Sequence, residues 1–486
     1  MSKPTRRQFL EDSMLATAAA LSAAAIPAVA AEKDSGDPPG PNEKLGVAVL
    51  GVRGQGSTHC TAYVKNPATE ILYICDPDAR VGENQAEAVG EKQGRRPKVV
   101  TDMRRAFDDA AVDVVSIATP NHWHALAGIW AMQASKDVYV EKPVSQFVSE
   151  GRSLVAAARR YRRICQTGTQ IRSSPAVRNA IEYLHSGKLG DVTLARGLCY
   201  DRRDSIGPKG NYPVPAHIDY NLWCGPAPDG RLTRPRFHYD WHWQWAYGNG
   251  NLGNQGIHQM DVARWGLGAN RLSQGVISYG GRFGYEDAGE TPNTSVTVHD
   301  YGHKSLVFEV RGLQSSPYRG AGVGVIFEGS DGYLVNPDNT SATAFGKDGT
   351  GIKTFNGGGD HFGNFIAAVL ARRIDQLNAE ILEGHLSSAL CHLSNISYRL
   401  GRLASPAEAL ERLDSISFHQ NARETFERTE EHLKANHLDV AKTQVRLGPW
   451  LKFDPDREAF VDSSPADMYL ARNDRTGFEV PKPDQV

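Results

Sequence analysis

Beyond residue 44 the chain alternates short apolar runs with longer stretches of helical periodicity. The runs are Leu45 to Leu50, Glu70 to Cys75, Lys98 to Val100, Val112 to Ala118, Asp137 to Val140 and 161 to 166. Runs of this kind without polar alternation are strands buried on both faces, and their alternation with helices builds a parallel, doubly wound sheet. The first intervening helix is expected over His59 to Asn66.

After Thr167 the pattern changes. A polar loop leads into a helix that ends at Leu184. Val192 to Leu198 reads as a strand, as do Gln274 to Tyr279, Thr294 to His299, Ser305 to Arg311, Val323 to Glu328 and Gly332 to Val335. The short glycine-bearing turns among the last five predict an antiparallel meander. Ile257 to Leu267, Asp360 to Arg373, Ile381 to Leu400 and Arg423 to His437 read as helices. The pattern thus predicts an α/β doubly wound domain at 45–166 and an α+β domain with a large open antiparallel sheet at 167–446. A tail rich in proline and charge, 447–486, is expected to wrap the surface. The open sheet face would suit a second copy of the chain, so a homo-oligomer is expected.

Gly51-Val52-Arg53-Gly54-Gln55-Gly56 follows the first run at once and opens a helix. Glycines there allow a tight turn, and the helix N-terminus can hold a pyrophosphate. This makes residues 45–166 a candidate dinucleotide-binding Rossmann domain. The spacing is G-x-x-G-x-G, with Arg53 where a second glycine usually lets backbone approach phosphate. Asp76 ends the second run about 20 residues on, the place of a ribose ligand. Its charge would repel a 2′-phosphate and favours NAD, while Arg53 and Arg80 leave NADP open. Asp76-Pro77-Asp78 also reads as a helix cap.

Ligands of an open parallel sheet bind outside the carboxyl ends of its strands. Thr119-Pro120-Asn121-His122-Trp123-His124 leaves the fourth run, and Glu141-Lys142-Pro143 leaves the fifth. Thr119, Pro120, Asn121, His122, His124, Glu141 and Lys142 are therefore cofactor candidates, and Lys142 is a candidate for catalysis as well. Gln170 and Arg172 leave the last run at the domain junction, beside cofactor and substrate respectively.

Residues 201–248 are irregular yet dense in aromatics. As an extended segment, Trp241, Trp243 and Trp245 would share one face, with His242 and Gln244 on the other. That face could stack on a sugar ring, with Trp243 as its candidate contact, or it could plug a domain edge. The histidines His122, His124, His238, His242 and His258 lack metal-ligand spacing and no cysteine or carboxylate completes a set, so no metal is expected.

The 486 residues suit two or three domains. A net charge of −2 provides no basic footprint for nucleic acid, and no apolar run past the N-terminus approaches a membrane span. Residues 1–31 carry Thr5-Arg6-Arg7-Gln8-Phe9-Leu10, then alanine-rich Ala16 to Ala25 and the small residues Ala28-Val29-Ala30. That order is a twin-arginine export signal, with cleavage after Ala30 or Ala31 and a linker at 32–44. A periplasmic location is expected, with no membrane attachment after cleavage. The six cysteines have no paired spacing, and Cys75 and Cys165 read as buried thiols.

The glycine loop, Asp76, the Thr119-to-His124 run, Glu141-Lys142-Pro143 and a later cluster from Gly250 to Asp261 together resemble the Gfo/Idh/MocA oxidoreductase family, in its exported twin-arginine branch. The resemblance spans nearly the whole chain after the signal. It implies a Rossmann domain followed by an α/β domain on an open antiparallel sheet. It implies that Lys142 helps bind cofactor and substrate, that His258 is the acid/base histidine, and that Asp261 lies with the substrate site. The position four residues before that histidine is commonly aspartate in the family's sugar and polyol dehydrogenases; here it is Asn254, which can hydrogen-bond but not share a proton. The expected activity is hydride transfer between a tightly held NAD(P) and a sugar, polyol or glycoside hydroxyl. Two alternatives stay open: redox-assisted glycoside cleavage, and an exported sugar-binding protein with altered catalysis.

Overall fold

The computed structural model describes residues 44–416 and 421–486. The stretch expected to be an export signal and the expected linker, up to residue 43, lie outside the described residues.

The nucleotide half runs β1 (Leu45–Leu50), α1 (Gln55–Lys65), β2 (Thr69–Cys75), α2 (Ala79–Gln93), β3 (Lys98–Val100), α3 (Arg104–Phe107), β4 (Val114–Ile117), α4 (Asn121–Gln133), β5 (Asp137–Val140), α5 (Val148–Arg160) and β6 (Cys165–Thr167). The six strands are parallel in the order β3-β2-β1-β4-β5-β6. Order reverses between β1 and β4, where a doubly wound sheet opens its ligand crevice. Every residue of β1, β4 and β5 is buried, as unbroken apolar runs require.

The second half runs α6 (Pro175–His185), β7 (Val192–Cys199), α7 (Tyr220–Cys224), α8 (Ile257–Gly266), β8 (Gly275–Gly281), β9 (Thr294–Asp300), β10 (Ser305–Arg311), β11 (Val323–Gly329), β12 (Gly332–Asn336), β13 (Ser341–Gly346) and β14 (Gly351–Asn356). It continues with α9 (His361–Ala371), α10 (Ile381–Arg399), β15 (Arg402–Ala404), α11 (Pro406–Asp414), α12 (Ala422–Ala435), β16 (Val445–Leu447), β17 (Leu451–Asp454) and β18 (Ala459–Phe460). Its large sheet follows β14-β13-β12-β11-β7-β10-β9-β8-β16-β15, with β17 also pairing on β8. The sheet is mixed rather than wholly antiparallel, because β7 and β10 lie side by side in parallel.

Three expectations change. The sheet face expected to stand open is covered over β7–β10: Ala409 and Leu413 of α11 and Ala422 and Phe426 of α12 pack on Leu194, Ile277, Val296 and Val307. The tail does not only wrap the surface, since β17 enters the sheet and Phe478 and Val486 join the nucleotide-domain core. The packing also crosses the boundary at residue 166. Phe365, Ile366 and Val369 of α9 sit in one core with Val47, Val49 and Tyr139.

Beneath α12 lies the buried carboxylate of Glu309. Arg428 donates to it at 2.6 and 2.8 Å, Arg196 at 2.9 Å and Tyr200 at 2.7 Å. Burial alone would raise its pKa. The arginines outweigh that and bring it from 4.5 to about 2. A carboxyl group whose pKa is lower folded than unfolded stabilises above the unfolded value and loses that stabilisation as pH falls toward the folded one. Acid titration of Glu309→Gln followed by circular dichroism should therefore lack the part of the wild-type stability loss that falls between pH 4.5 and 2. A variant with the wild-type slope in that window would show that the pair contributes nothing.

Candidate active site and cofactor cleft

A cavity of about 520 Å³ runs along the carboxyl ends of β1, β2, β4 and β5. Gly51, Arg53, Gly54 and Gln55 form its floor, with Asp76 beside them, Thr119, Pro120, Asn121 and His124 a side, and Glu141, Lys142 and Asn254 one end. Gly54 precedes α1 with no side chain capping the helix, and the Gly56 and Ser57 N–H groups close the turn on the Arg53 and Gly54 carbonyls at 3.1 Å each. Gly56 lies behind the loop: a Cβ there would fall 1.8 Å from the Gly51 carbonyl oxygen. Its lack of a side chain lets helix and turn meet.

Asp76 is buried and accepts from the backbone N–H groups of Val52 at 3.0 Å and Asp78 at 2.9 Å. It thus pins the glycine loop to the end of β2. Burial raises its pKa to about 6 against those two donors.

Glu141 is the hub of the end it shares with Lys142. Its Oε1 accepts from Gln170 Nε2 at 2.9 Å and Gln55 Nε2 at 3.2 Å, and meets His59 Nε2 at 3.2 Å. Its Oε2 accepts from the Lys142 backbone N–H at 3.2 Å. Burial would raise its pKa, but the His59 hydrogen bond and the charges of His59 and Lys142 bring it down to about 2. Gln170 therefore stands behind the carboxylate rather than in the cavity wall. His59, fully buried, also meets Ser116 Oγ at 2.9 Å. No motif points to His59, although Gln55 and His59 are i,i+4 on α1 and must share a helix face.

Lys142 Nζ donates to the backbone carbonyl of Asn254 at 2.9 Å. That carbonyl belongs to a π-helical turn, Leu252–Gly256, that runs straight into α8. Such turns mark functional positions in many helices. The contact uses the main chain, so asparagine in place of aspartate leaves it unchanged. Burial lowers the Lys142 pKa, opposed by the Glu141 carboxylate.

His258 begins α8, half-buried and outside the cavity wall, with Nδ1 buried and without a protein partner. Burial and the nearby Lys142 charge take its pKa to about 3, so it is neutral at pH 7. His242 does line the cavity. Its Nδ1 meets the Tyr239 carbonyl at 2.5 Å, and its ring stacks on Trp241 with centroids 3.6 Å apart.

Several expected site residues sit elsewhere. His122 faces away from His124 on α4 and meets the Trp223 carbonyl at 2.9 Å, pegging the helix to the 201–248 segment rather than touching a cofactor. Trp243 is 4% exposed and packs on Ile206 and Ala288. A 3-10 turn over Asp240–Trp243 breaks the expected alternation and presents Trp241 and His242 to the cavity instead. Arg172 binds Asp261 through Nε at 2.7 Å and Nη2 at 2.9 Å, deep behind the site. The pair neutralises itself and is not a substrate arm. Among the described residues no group of His, Cys, Asp or Glu is arranged to hold a metal ion. All six cysteines are buried and free.

A crevice at a strand-order reversal, a glycine turn feeding an uncapped helix and a carboxylate ending β2 together fit a nicotinamide dinucleotide, which places the protein among the Rossmann-fold oxidoreductases. Thr119 Oγ1, buried in the cavity wall without a protein partner, offers one further polar contact. The chain belongs to the Gfo/Idh/MocA family: residues 45–169 match its NAD-binding Rossmann fold and residues 205–410 its C-terminal α/β domain. A levoglucosan dehydrogenase of Pseudarthrobacter phenanthrenivorans is 27% identical over 242 residues, 49% of this chain and 54% of that protein. A glycosyl hydrolase family 109 protein of Shewanella pealeana is 29% identical over 177 residues, 34% of this chain and 39% of that protein. The matches thus span about half or less of these relatives' length. A solved levoglucosan dehydrogenase in complex with NADH and levoglucosan shares the fold at a TM-score of 0.56 and 18% identity, over 72% of this chain and 96% of that one.

Proposed function

We propose that the protein is an exported, NAD-dependent oxidoreductase acting on a hydroxyl of a sugar, polyol or glycoside, and that it keeps its cofactor bound through turnover. The observation that carries this is the Lys142 amine, held at the cavity end by the Asn254 carbonyl, on a residue whose backbone N–H is fixed by the Glu141 carboxylate. Lys142 can orient and polarise the substrate oxygen. A neutral His258, next to that charge, can take the hydroxyl proton. The Asn254 amide can hydrogen-bond a sugar without altering the charge of the site. When bound, the dinucleotide supplies hydride exchange. The twin-arginine signal supports export, and scarce free dinucleotide outside the cytoplasm favours a retained cofactor.

His242 favours a second reading, redox-assisted glycoside cleavage. That chemistry needs a base besides His258, and His242 is an imidazole on the cavity wall with Nδ1 engaged and Nε2 left over. One experiment separates the readings. The purified protein is offered sugars, and separately aryl glycosides, without added cofactor, while nicotinamide absorbance and aglycone release are followed. Net reduction supports the first reading, and aglycone release without net redox change supports the second. Bound nucleotide that neither set of substrates alters would leave a sugar-binding protein, and absence of bound nucleotide would sink the retained cofactor.

A further inference from the structure

We propose that residues 472–486 are a strap belonging to the cofactor site, and that Phe478 is the wall against which the adenine of the dinucleotide packs. This goes further than the reading above but rests on its dinucleotide site.

The cavity continues past Asp76 to Met103, Arg104 and Trp130. A carboxylate that ends β2 takes the adenosine ribose, so the base lies on the far side of it. There the wall is aromatic, and one ring comes from the far end of the chain. Phe478 is 8% exposed and lines the cavity beside Trp123 and Trp130. Its ring centroid lies 5.6 Å from Trp123 at 88° and 6.3 Å from Trp130 at 40°. A flat heterocycle gains from such surfaces because aromatic faces stack on any base.

The segment is fastened on both sides of the cleft. Arg472 donates to Glu150 at 2.9 Å and to Gln146 at 2.5 Å, tying it to the nucleotide domain at the start of α5. Arg475 donates to the Asn221 and Gly225 carbonyls at 3.2 and 3.1 Å, tying it to α7 in the 201–248 segment. Val486 is 2% exposed in the nucleotide-domain core. The 201–248 segment is itself latched over the opposite edge. His238 Nε2 lies 2.9 Å from Asp78 Oδ2, and the Asp219 N–H donates to the Pro77 carbonyl at 2.9 Å. A dinucleotide lying along this cavity would therefore be covered at its adenine end by two segments that hold each other.

The test is nucleotide content and affinity in the full chain. Wild type, Phe478→Ala and Phe478→Tyr are purified, passed over a desalting column and denatured, and the released NAD is counted. Affinity for added NAD is then titrated by tryptophan fluorescence. Phe478→Ala should lose most of its nucleotide and bind NAD about tenfold more weakly, while Phe478→Tyr should match wild type. Should Phe478→Ala not fold, Phe478→Leu keeps the packing volume without the aromatic face and should show the same loss. The strap is overturned if a folded Phe478→Ala or Phe478→Leu keeps nucleotide content and affinity at wild-type values, or if Phe478→Tyr is as depleted as they are. Wild type free of nucleotide would overturn only the retained cofactor, since the affinity arm still decides the role of Phe478.

Discussion

Lys142→Ala should lower turnover by about 10²–10³-fold or more. Lys142 is half-buried, desolvation lowers its pKa against the Glu141 charge, its ammonium is held by the Asn254 carbonyl, and its backbone N–H is held by the Glu141 carboxylate. Removing one preorganised charge from such a site costs transition-state stabilisation more than ground-state binding. Nucleotide content should fall far less than rate, because the glycine turn and Asp76 line the cavity without contacting Lys142. The measurement is single-turnover reduction of bound nicotinamide beside released-nucleotide counts. A variant with wild-type rate would remove Lys142 from the chemistry.

Asp261→Ala should destabilise the fold by about 3–5 kcal/mol, because breaking a buried ion pair strands its partner. Asp261 is 1% exposed and accepts from Arg172 and from Ser387 Oγ at 2.7 Å, with Arg264 at 3.9 Å. Without it two buried guanidinium groups share only Glu383. Denaturant unfolding reads this directly. KM for any substrate should stay near wild type in the folded variant. A raised KM with unchanged stability would return Asp261 to the substrate site.

What could be read from the sequence follows from what local patterns encode. The β1, β4 and β5 runs are legible because strands buried on both faces must be apolar throughout, and Asp76, Lys142 and Glu141 because they sit at strand ends. Contacts set by distant pairing are not legible. The parallel pairing of β7 with β10 joins segments more than 100 residues apart. The Trp241–Trp245 alternation would put three rings on one face only if the chain were extended, and the 3-10 turn removes that condition. Arg172 and Asp261 are charged residues near a motif, and nothing in the sequence says that each neutralises the other. Phe478 is one aromatic residue in a polar tail, more than 340 residues beyond the tryptophans it meets.

The six buried free thiols carry a consequence of timing. Burial raises the pKa of every one, so each is unreactive while the fold stands. An unfolded chain entering an oxidising compartment would expose all six at once, with nothing to choose among their pairings. A chain that finishes folding in a reducing compartment and only then crosses presents no thiol to oxidise. For such a molecule the order of folding and transport decides its covalent fate.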